Sequence, residues 1–285
     1  MVVSILLFVL IWWSALVTRN SIKVNEVAVS FPELPLQFNG YRIVQISDMH
    51  VGSFGNDTTF VSKVVNTIND LHPDLILFTG DIVNRESDEL IPFVNTLSRL
   101  NAPDGVISVL GNHDYGDYKK WSSEKAKTDN LSLMRSLQND MGWTLLDNDY
   151  RLIFNSDDSI AVIGVENWGE PPFSRYGDLK KAYPNLNDSV FKILLTHNPS
   201  HWLAEVTPST NINLSLSGHT HAMQIMFDLG KHKFSPAKWK YDQWGGLYDN
   251  NGQKLYVNIG LGEVGIPARF GATPEITLIT LKADE

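Results

Sequence analysis

Short, almost wholly apolar runs that break off at clusters of aspartate, asparagine and histidine constrain this chain more than any other feature. Five polar motifs occur in order: Asp48-Met49-His50, Gly80-Asp81, Gly111-Asn112-His113-Asp114, Thr196-His197 and Gly218-His219-Thr220-His221, and most follow directly on an apolar stretch. An unbroken apolar run of this length, such as Leu75-Ile76-Leu77-Phe78, is typical of a strand buried on both faces. Polar groups gathered at the carboxyl ends of such strands are where open α/β sheets place their ligand sites. Together the motifs offer carboxylates, imidazoles and one amide, a donor set suited to a pair of divalent cations.

The intervening sequence reads as an α/β protein. Tyr41-Arg42-Ile43-Val44-Gln45-Ile46-Ser47 is an expected strand that delivers Asp48 and His50. Asp57 is an expected N-cap for a helix with apolar Val61, Val64, Val65, Ile68 and Leu71. Residues 75–78 form the next expected strand and deliver Gly80-Asp81. A helix is expected from Asp88 to about Leu100, ending at the Ala102-Pro103-Asp104-Gly105 turn, and a strand over 106–110 delivers the third motif. Further strands are expected over 160–165, 192–195, 214–216, 255–258 and 276–281. Gly80, Gly111 and Gly218 fit tight strand-to-loop turns, which favour a residue without Cβ.

At 285 residues the chain is long enough for one sizeable core. No Pro/Gly/Ser-rich linker, low-complexity tract or repeat divides it, so one catalytic domain, residues 21–285, is expected after an N-terminal segment, residues 1–20. The balance of 23 basic against 32 acidic residues gives a net charge of -9, which argues against a nucleic-acid partner. With no cysteine, disulfides and thiolate metal ligands are excluded. Residues 2–17 are apolar except for Ser4 and Ser14, with Trp12 and Trp13 in the second half and Arg19 and Lys23 beyond. A helix of about sixteen residues spans roughly 24 Å, slightly less than a hydrocarbon core of about 30 Å. Snorkelling of Arg19 or local thinning of the bilayer would cover the difference. The segment lacks the basic n-region and small-residue cleavage site of a signal peptide. A membrane anchor is therefore expected here, and the basic residues after it favour a cytoplasmic catalytic domain. The alternative is a buried core helix.

Two divalent cations about 3.5–4 Å apart can share a bridging carboxylate and a bridging hydroxide. Their charge stabilises hydroxide near neutral pH and offsets charge on a phosphoryl group in the transition state. A mixed Asp/Asn/His set suits Mn, Fe, Zn or Co better than Mg or Ca. Manganese is the first expectation.

The five motifs, matching in order from Asp48 to His221, resemble those of the calcineurin-like metallophosphoesterase superfamily. Leu255-Tyr256-Val257-Asn258, Gly260-Leu261-Gly262, Pro267-Ala268-Arg269-Phe270 and Pro274-Glu275-Ile276-Thr277-Leu278 are similar to one branch. That branch holds membrane-associated bacterial phosphoesterases, including chlamydial-type UDP-2,3-diacylglucosamine pyrophosphatases and YkuE-like phosphodiesterases. The resemblance implies an α/β four-layer sandwich, two mixed β-sheets flanked by helices, with metals at one edge. It implies that Asp48, His50, Asp81 and His221 hold a first metal. Asp81, Asn112, His197 and His219 would hold a second, with Asp81 as the bridge. His113 would contact the phosphate and stabilise or protonate the leaving oxygen, and Asp114 would orient His113. The reaction implied is in-line attack of metal-bridging hydroxide on phosphorus without a covalent enzyme intermediate. The substrate class is a phosphodiester or pyrophosphate, extending to a lipid-linked nucleotide such as UDP-diacylglucosamine. The alternatives are a phosphomonoesterase or general phosphodiesterase on soluble substrates, and a non-catalytic binding scaffold. Every expected ligand position is filled, which weighs against the scaffold.

Two departures bear on substrate. Ala222-Met223-Gln224 stands where many members of the branch have Gly-Gly-Gln, which reshapes the pocket wall. His113 stands where the gamma-proteobacterial diacylglucosamine pyrophosphatases usually carry Arg. His72, His201 and His232 have no motif around them and are assigned no role, and Glu166-Asn167-Trp168 reads as loop structure. Residues 223–248 interleave Met223, Ile225, Met226, Phe227, Leu229, Phe234, Trp239, Tyr241 and Trp244 with Lys231, Lys233, Lys238 and Lys240. This segment reads either as a lid that meets a bilayer interface or lipid chain, or as an insert packed on the sheet.

Overall fold

The computed structural model describes residues 2–171, 173–230 and 232–284. In chain order its strands are β1 Lys23–Phe31, β2 Arg42–Ile46, β3 Leu75–Phe78, β4 Val106–Ser108, β5 Thr144–Leu145, β6 Asp149–Asn155, β7 Asp158–Gly164, β8 Phe191–Leu195, β9 Leu214–Ser217, β10 Phe227–Asp228, β11 Lys233–Phe234, β12 Gly246–Asn250, β13 Gln253–Val257 and β14 Glu275–Ala283. The main helices are α1 Val2–Leu16, α2 Thr59–Asp70, α3 Val94–Leu97 and α4 Glu124–Asp140. One six-stranded sheet has the order β1-β14-β2-β3-β4-β5, and a second the order β12-β13-β9-β8-β7-β6. Both are mixed. β2 to β5 run parallel and β14 is antiparallel to β2, while β7, β8, β9 and β13 run parallel between antiparallel β6 and β12.

Alternation along each strand explains the unbroken apolar runs. Ile43, Leu75, Leu77 and Ile107 of the first sheet meet Ile160, Val162, Phe191, Ile193, Leu195, Leu214 and Leu216 of the second. The intervening side chains, Val44, Ile46, Ile76, Phe78 and Val106, face the other way. They pack under Val61, Val64, Val65 and Ile68 of α2 and Met134 and Leu137 of α4. Ile163, Leu194, Leu255 and Val257 on the outer face of the second sheet pack against Leu179, Ala182, Trp202 and Val206. Two sheets face to face with helices outside form the expected four-layer α/β sandwich. Each buried aliphatic or aromatic side chain contributes roughly 1.5–3 kcal/mol.

α2 follows the expected stripe, but its N-cap is Thr58 and not the expected Asp57, whose carboxylate accepts the Thr59 amide N–H (2.9 Å) from one residue earlier. The helix expected from Asp88 to Leu100 is instead a 3-10 segment, Ser87–Phe93, followed by the single turn of α3. Pro92 lies inside it and cannot donate to an α-helical ladder.

The expected membrane anchor, and with it the placement of the catalytic domain on the cytoplasmic side of a membrane, is corrected. Among the described residues no helix is long and apolar enough to cross a membrane. α1 spans 15 residues and gives way at once to a 3-10 turn, Thr18–Asn20. Arg19 does not reach away from the domain but pairs with Glu263 (2.6 Å). Nor is α1 a core helix, since Phe8, Val9, Ile11, Trp12, Trp13 and Leu16 are exposed.

Candidate metal centre

All five motifs lie at one edge of the sandwich. The first three leave the ends of β2, β3 and β4 in the first sheet, and the last two leave β8 and β9 in the second. Gln45 on β2 closes the gap between the sheets, its Nε2 donating to the Ser217 carbonyl on β9 (2.9 Å). Strand-like hydrogen bonds continue past the strand ends, with Asp48 N donating to Gly80 O (2.9 Å) and Gly218 N to His197 O (3.0 Å). The motif backbones are therefore as firmly placed as the sheets.

Two groups of ligand atoms result, Asp48-His50-His221 and Asp81-His197-His219, each with its atoms within 4.8 Å of one another. In the first, Nε2 of His221 lies 3.2 Å from both Asp48 Oδ1 and His50 Nε2. In the second, His197 Nε2 lies 3.1 Å from Asp81 Oδ2 and 3.2 Å from His219 Nδ1. Asp81 Oδ2 is also 3.7 Å from His50 Nε2, so one carboxylate oxygen stands between the two groups. Asn112 Oδ1 is buried and has no hydrogen-bond partner among the described residues, which leaves its lone pairs unengaged. His50 Nδ1 faces the Val83 carbonyl (3.0 Å) and His197 Nδ1 the Thr79 carbonyl (2.8 Å). A carbonyl can only accept, so each ring carries a proton on Nδ1 and aims Nε2 inward. This donor set fits two divalent cations.

The backbone takes an uncommon form to achieve this. Asp48, His50, Asp81, His219 and His221 all have φ between 44° and 72°. Left-handed backbone at non-glycine residues costs energy and clusters at functional sites. Of the three glycines expected at tight turns only Gly80 needs positive φ (97°). Gly111 and Gly218 are required for space, because a Cβ there would collide with the Asp81 and Asp48 carboxylates respectively.

Burial pushes the His50 and His219 rings down to about 3, so both stay neutral. Burial works against the two carboxylates, yet the imidazoles outweigh it. His221 and His197 hold Asp48 below its ordinary range, and His197, with His113, holds Asp81 well below. His197 moves the other way, because the Asp81 charge overcomes burial and lifts it to about 9. The ionised carboxylates and the neutral His50 and His219 rings are the protonation states that metal binding needs, whereas His197 carries a second proton in the metal-free site and must release it from Nε2 to bind a metal.

A family model described as calcineurin-like phosphoesterase matches residues 41–223, more than half of the chain. The chain belongs to this family. It is 35% identical over 273 residues to the uncharacterized metallophosphoesterase YkuE of Bacillus subtilis, spanning 93% of this chain and 87% of the relative. It is 30% identical over 318 residues to the UDP-2,3-diacylglucosamine pyrophosphatase LpxG of Chlamydia trachomatis, spanning 95% and 93%. A zebrafish transmembrane protein with metallophosphoesterase domain is 30% identical over 270 residues, spanning 91% of this chain and 57% of that one. The chain is thus a calcineurin-like phosphoesterase, a hydrolase of phosphoester bonds in a family that uses two divalent metals.

In this phosphoesterase His113 lies beside the ligand groups, its ring 4.9 Å from that of His50. Its Nδ1 donates to the Asn84 carbonyl (2.6 Å) and its own N–H donates to Asp81 Oδ1 (2.8 Å). Asp114 was expected to orient the His113 ring, and that expectation is corrected. The Asp114 carboxylate instead accepts the amide N–H groups of Gly111 (2.8 Å), Asp81 (2.9 Å), Ile82 (2.9 Å) and Val83 (3.3 Å). It is fully buried beneath the site and stitches the second motif to the third.

Several neighbours of the site carried no motif. Tyr118 packs on His113 (4.4 Å between rings), and its hydroxyl receives Asn112 Nδ2 (2.9 Å). Phe173 meets His219 edge-on (5.1 Å). Arg269 is fully buried, with Nη2 3.3 Å from His221 Nδ1, and donates to the Ile259, Gly262 and Ala272 carbonyls. It lies in Pro267-Ala268-Arg269-Phe270, the stretch that resembles the phosphoesterase branch, so its position is legible in the sequence. Tyr118 and Phe173 belong to loops without periodicity. In residues 223–248, Met226, Ala237, Tyr241 and Trp244 pack with Ala222, Ile259 and Ala272, while Phe227, Leu229, Phe234 and Trp239 are exposed. Part of that segment is therefore a packed insert. Lys231 lies outside the described residues. His201, assigned no role, is buried and stacked on Trp168 (5.0 Å).

Proposed function

We propose that this protein hydrolyses a phosphodiester or pyrophosphate with two metal ions, manganese first, held by the two ligand groups. The position of Asp81 Oδ2, 3.1 Å from His197 Nε2 and 3.7 Å from His50 Nε2, carries the reading. It supports Asp81 as the ligand common to both metals. Asp48, His50 and His221 complete the first, and Asn112, His197 and His219 the second. Metals bound there would supply a water-derived nucleophile at neutral pH and offset charge on the phosphoryl oxygens.

The chain's own residues do the rest. His113, partly exposed, with Nδ1 tied to Asn84, has Nε2 available to a phosphoryl or leaving-group oxygen. Asp114 holds the amides of residues 81–83 and 111, and through them the Asp81 carboxylate and the His113 backbone. The name of the chlamydial relative supports a lipid-linked nucleotide diphosphate as substrate. The Ala222-Met223 departure falls at left-handed residues directly after His221, consistent with a pocket wall of this chain's own.

The test is manganese-dependent hydrolysis by the full chain, comparing an aryl phosphodiester and UDP-diacylglucosamine with an aryl phosphomonoester. Turnover of the first two above the third, abolished by Asp81→Asn, is the expected result. A preference for the monoester, or wild-type turnover in Asp81→Asn, would refute the proposal.

A further inference from the structure

His219 differs from His50 and His197 in how its far nitrogen is held. Those two rings give Nδ1 to backbone carbonyls and turn Nε2 inward. His219 turns Nδ1 inward, 3.2 Å from His197 Nε2, and its Nε2 lies 3.0 Å from the Tyr241 hydroxyl. A neutral imidazole has one proton, so Nδ1 offers a lone pair only when Nε2 carries the hydrogen and something accepts it. The Tyr241 hydroxyl, which can donate or accept, is placed to be that acceptor.

Tyr241 is itself firmly seated. It is buried, its amide donates to the Ala237 carbonyl (2.8 Å), and its ring stands edge-on to His219 at 5.5 Å. The same insert grips the rest of the fifth motif. Thr220 Oγ1 donates to the Trp244 carbonyl (2.6 Å), and Ser235 Oγ donates to the Ala222 carbonyl (2.6 Å).

We propose that Tyr241 is a positioning residue for the second metal half-site, accepting the His219 Nε2–H and so presenting Nδ1 beside Asp81 and His197. The insert then completes the coordination sphere as well as walling the site. This rests on the two-metal reading above, and the test separates the two. Tyr241→Phe keeps the ring and its packing and removes only the hydroxyl. Manganese binding is measured by calorimetry in two backgrounds, His50→Ala, which leaves the second half-site, and His197→Ala, which leaves the first.

In the first background Tyr241→Phe should weaken binding about 10–100-fold, the usual cost of losing a group that orients a metal ligand. In the second it should change nothing. The exposed Trp239, in the same insert, serves as a control, and Trp239→Phe should be silent in both. Equal weakening in both backgrounds would mean that Tyr241 merely supports the fold, and no weakening in either would mean that the hydroxyl is idle. Either result overturns the positioning role while leaving two metals in place. Failure of both backgrounds to bind manganese would overturn the two-metal reading along with it.

Discussion

At the scale of single residues, the ligand set is decided by where protons are forced to sit. A backbone carbonyl opposite Nδ1 of His50 and of His197 fixes a proton on that nitrogen in each ring, and burial keeps the His50 ring neutral. None of this depends on ligand identity alone, which is why the motifs announce the residues but not which nitrogen points inward. The left-handed φ of five candidate ligand residues is equally hidden, since Asp and His carry no obligatory turn signal. His113 is the informative residue to change. It touches Asp81 through its backbone, and its ring is held by Asn84 rather than by a ligand. His113→Ala should leave metal content intact while kcat falls about 10²–10⁴-fold, the range for losing a general acid or base. Metal analysis beside steady-state kinetics checks both halves, and loss of metal would instead make His113 part of the binding shell.

At the scale of elements, the strands that deliver the motifs were legible because burial on both faces leaves an unbroken apolar run. β1, β6 and β12 were not read, because they lie toward the sheet edges with many exposed residues and no such run. α4 also went unread, since its buried positions are Asn130, Met134, Leu137 and Gln138, too few and too polar to make a stripe. The loop after β7 is held by an element-level tether that no motif marks. Glu205 accepts Trp168 Nε1 (2.9 Å) and Arg175 Nη2 (2.8 Å), which pins the loop that brings Phe173 to His219. His201 Nε2 sits 3.4 Å from the same carboxylate. His201 first, then Trp168 and Arg175, lower the Glu205 carboxyl from 4.5 to about 2. The stability it adds is complete above the unfolded value of 4.5 and is lost as pH falls through about 2. Glu205→Gln should lower Tm at neutral pH by about 2–4 °C, the shift expected for about 1 kcal/mol in a chain of this size, because solvent screening of the partly exposed carboxylate leaves only part of its pKa shift as stability. The difference from wild type should vanish near the acid end of that window. Thermal melts from neutral to low pH test it, and a difference that persists unchanged at pH 2 would mean that the charge is not what counts.

At the scale of the whole molecule, the second sheet matters because it brings residues 197–221 against residues 48–114. The first sheet offers Asp48, His50, Asp81 and Asn112, and the second offers His197, His219 and His221. Neither sheet alone holds all of either candidate ligand group, and Gln45 reaching Ser217 marks where they join. Sequence order and apolar punctuation made the motifs and the α/β class readable. That two sheets lie face to face came from family resemblance, because periodicity cannot say which strand pairs with which. The N-terminal segment was misread for a related reason, since apolar composition sets what a helix tolerates and not where it stops. A manganese-soaked crystal of the full chain, measured at the manganese absorption edge, tests the joint site most directly. Two anomalous peaks about 3.5–4 Å apart, both within bonding distance of Asp81 Oδ2, are expected. A single peak, or two peaks with no shared protein ligand, would contradict it.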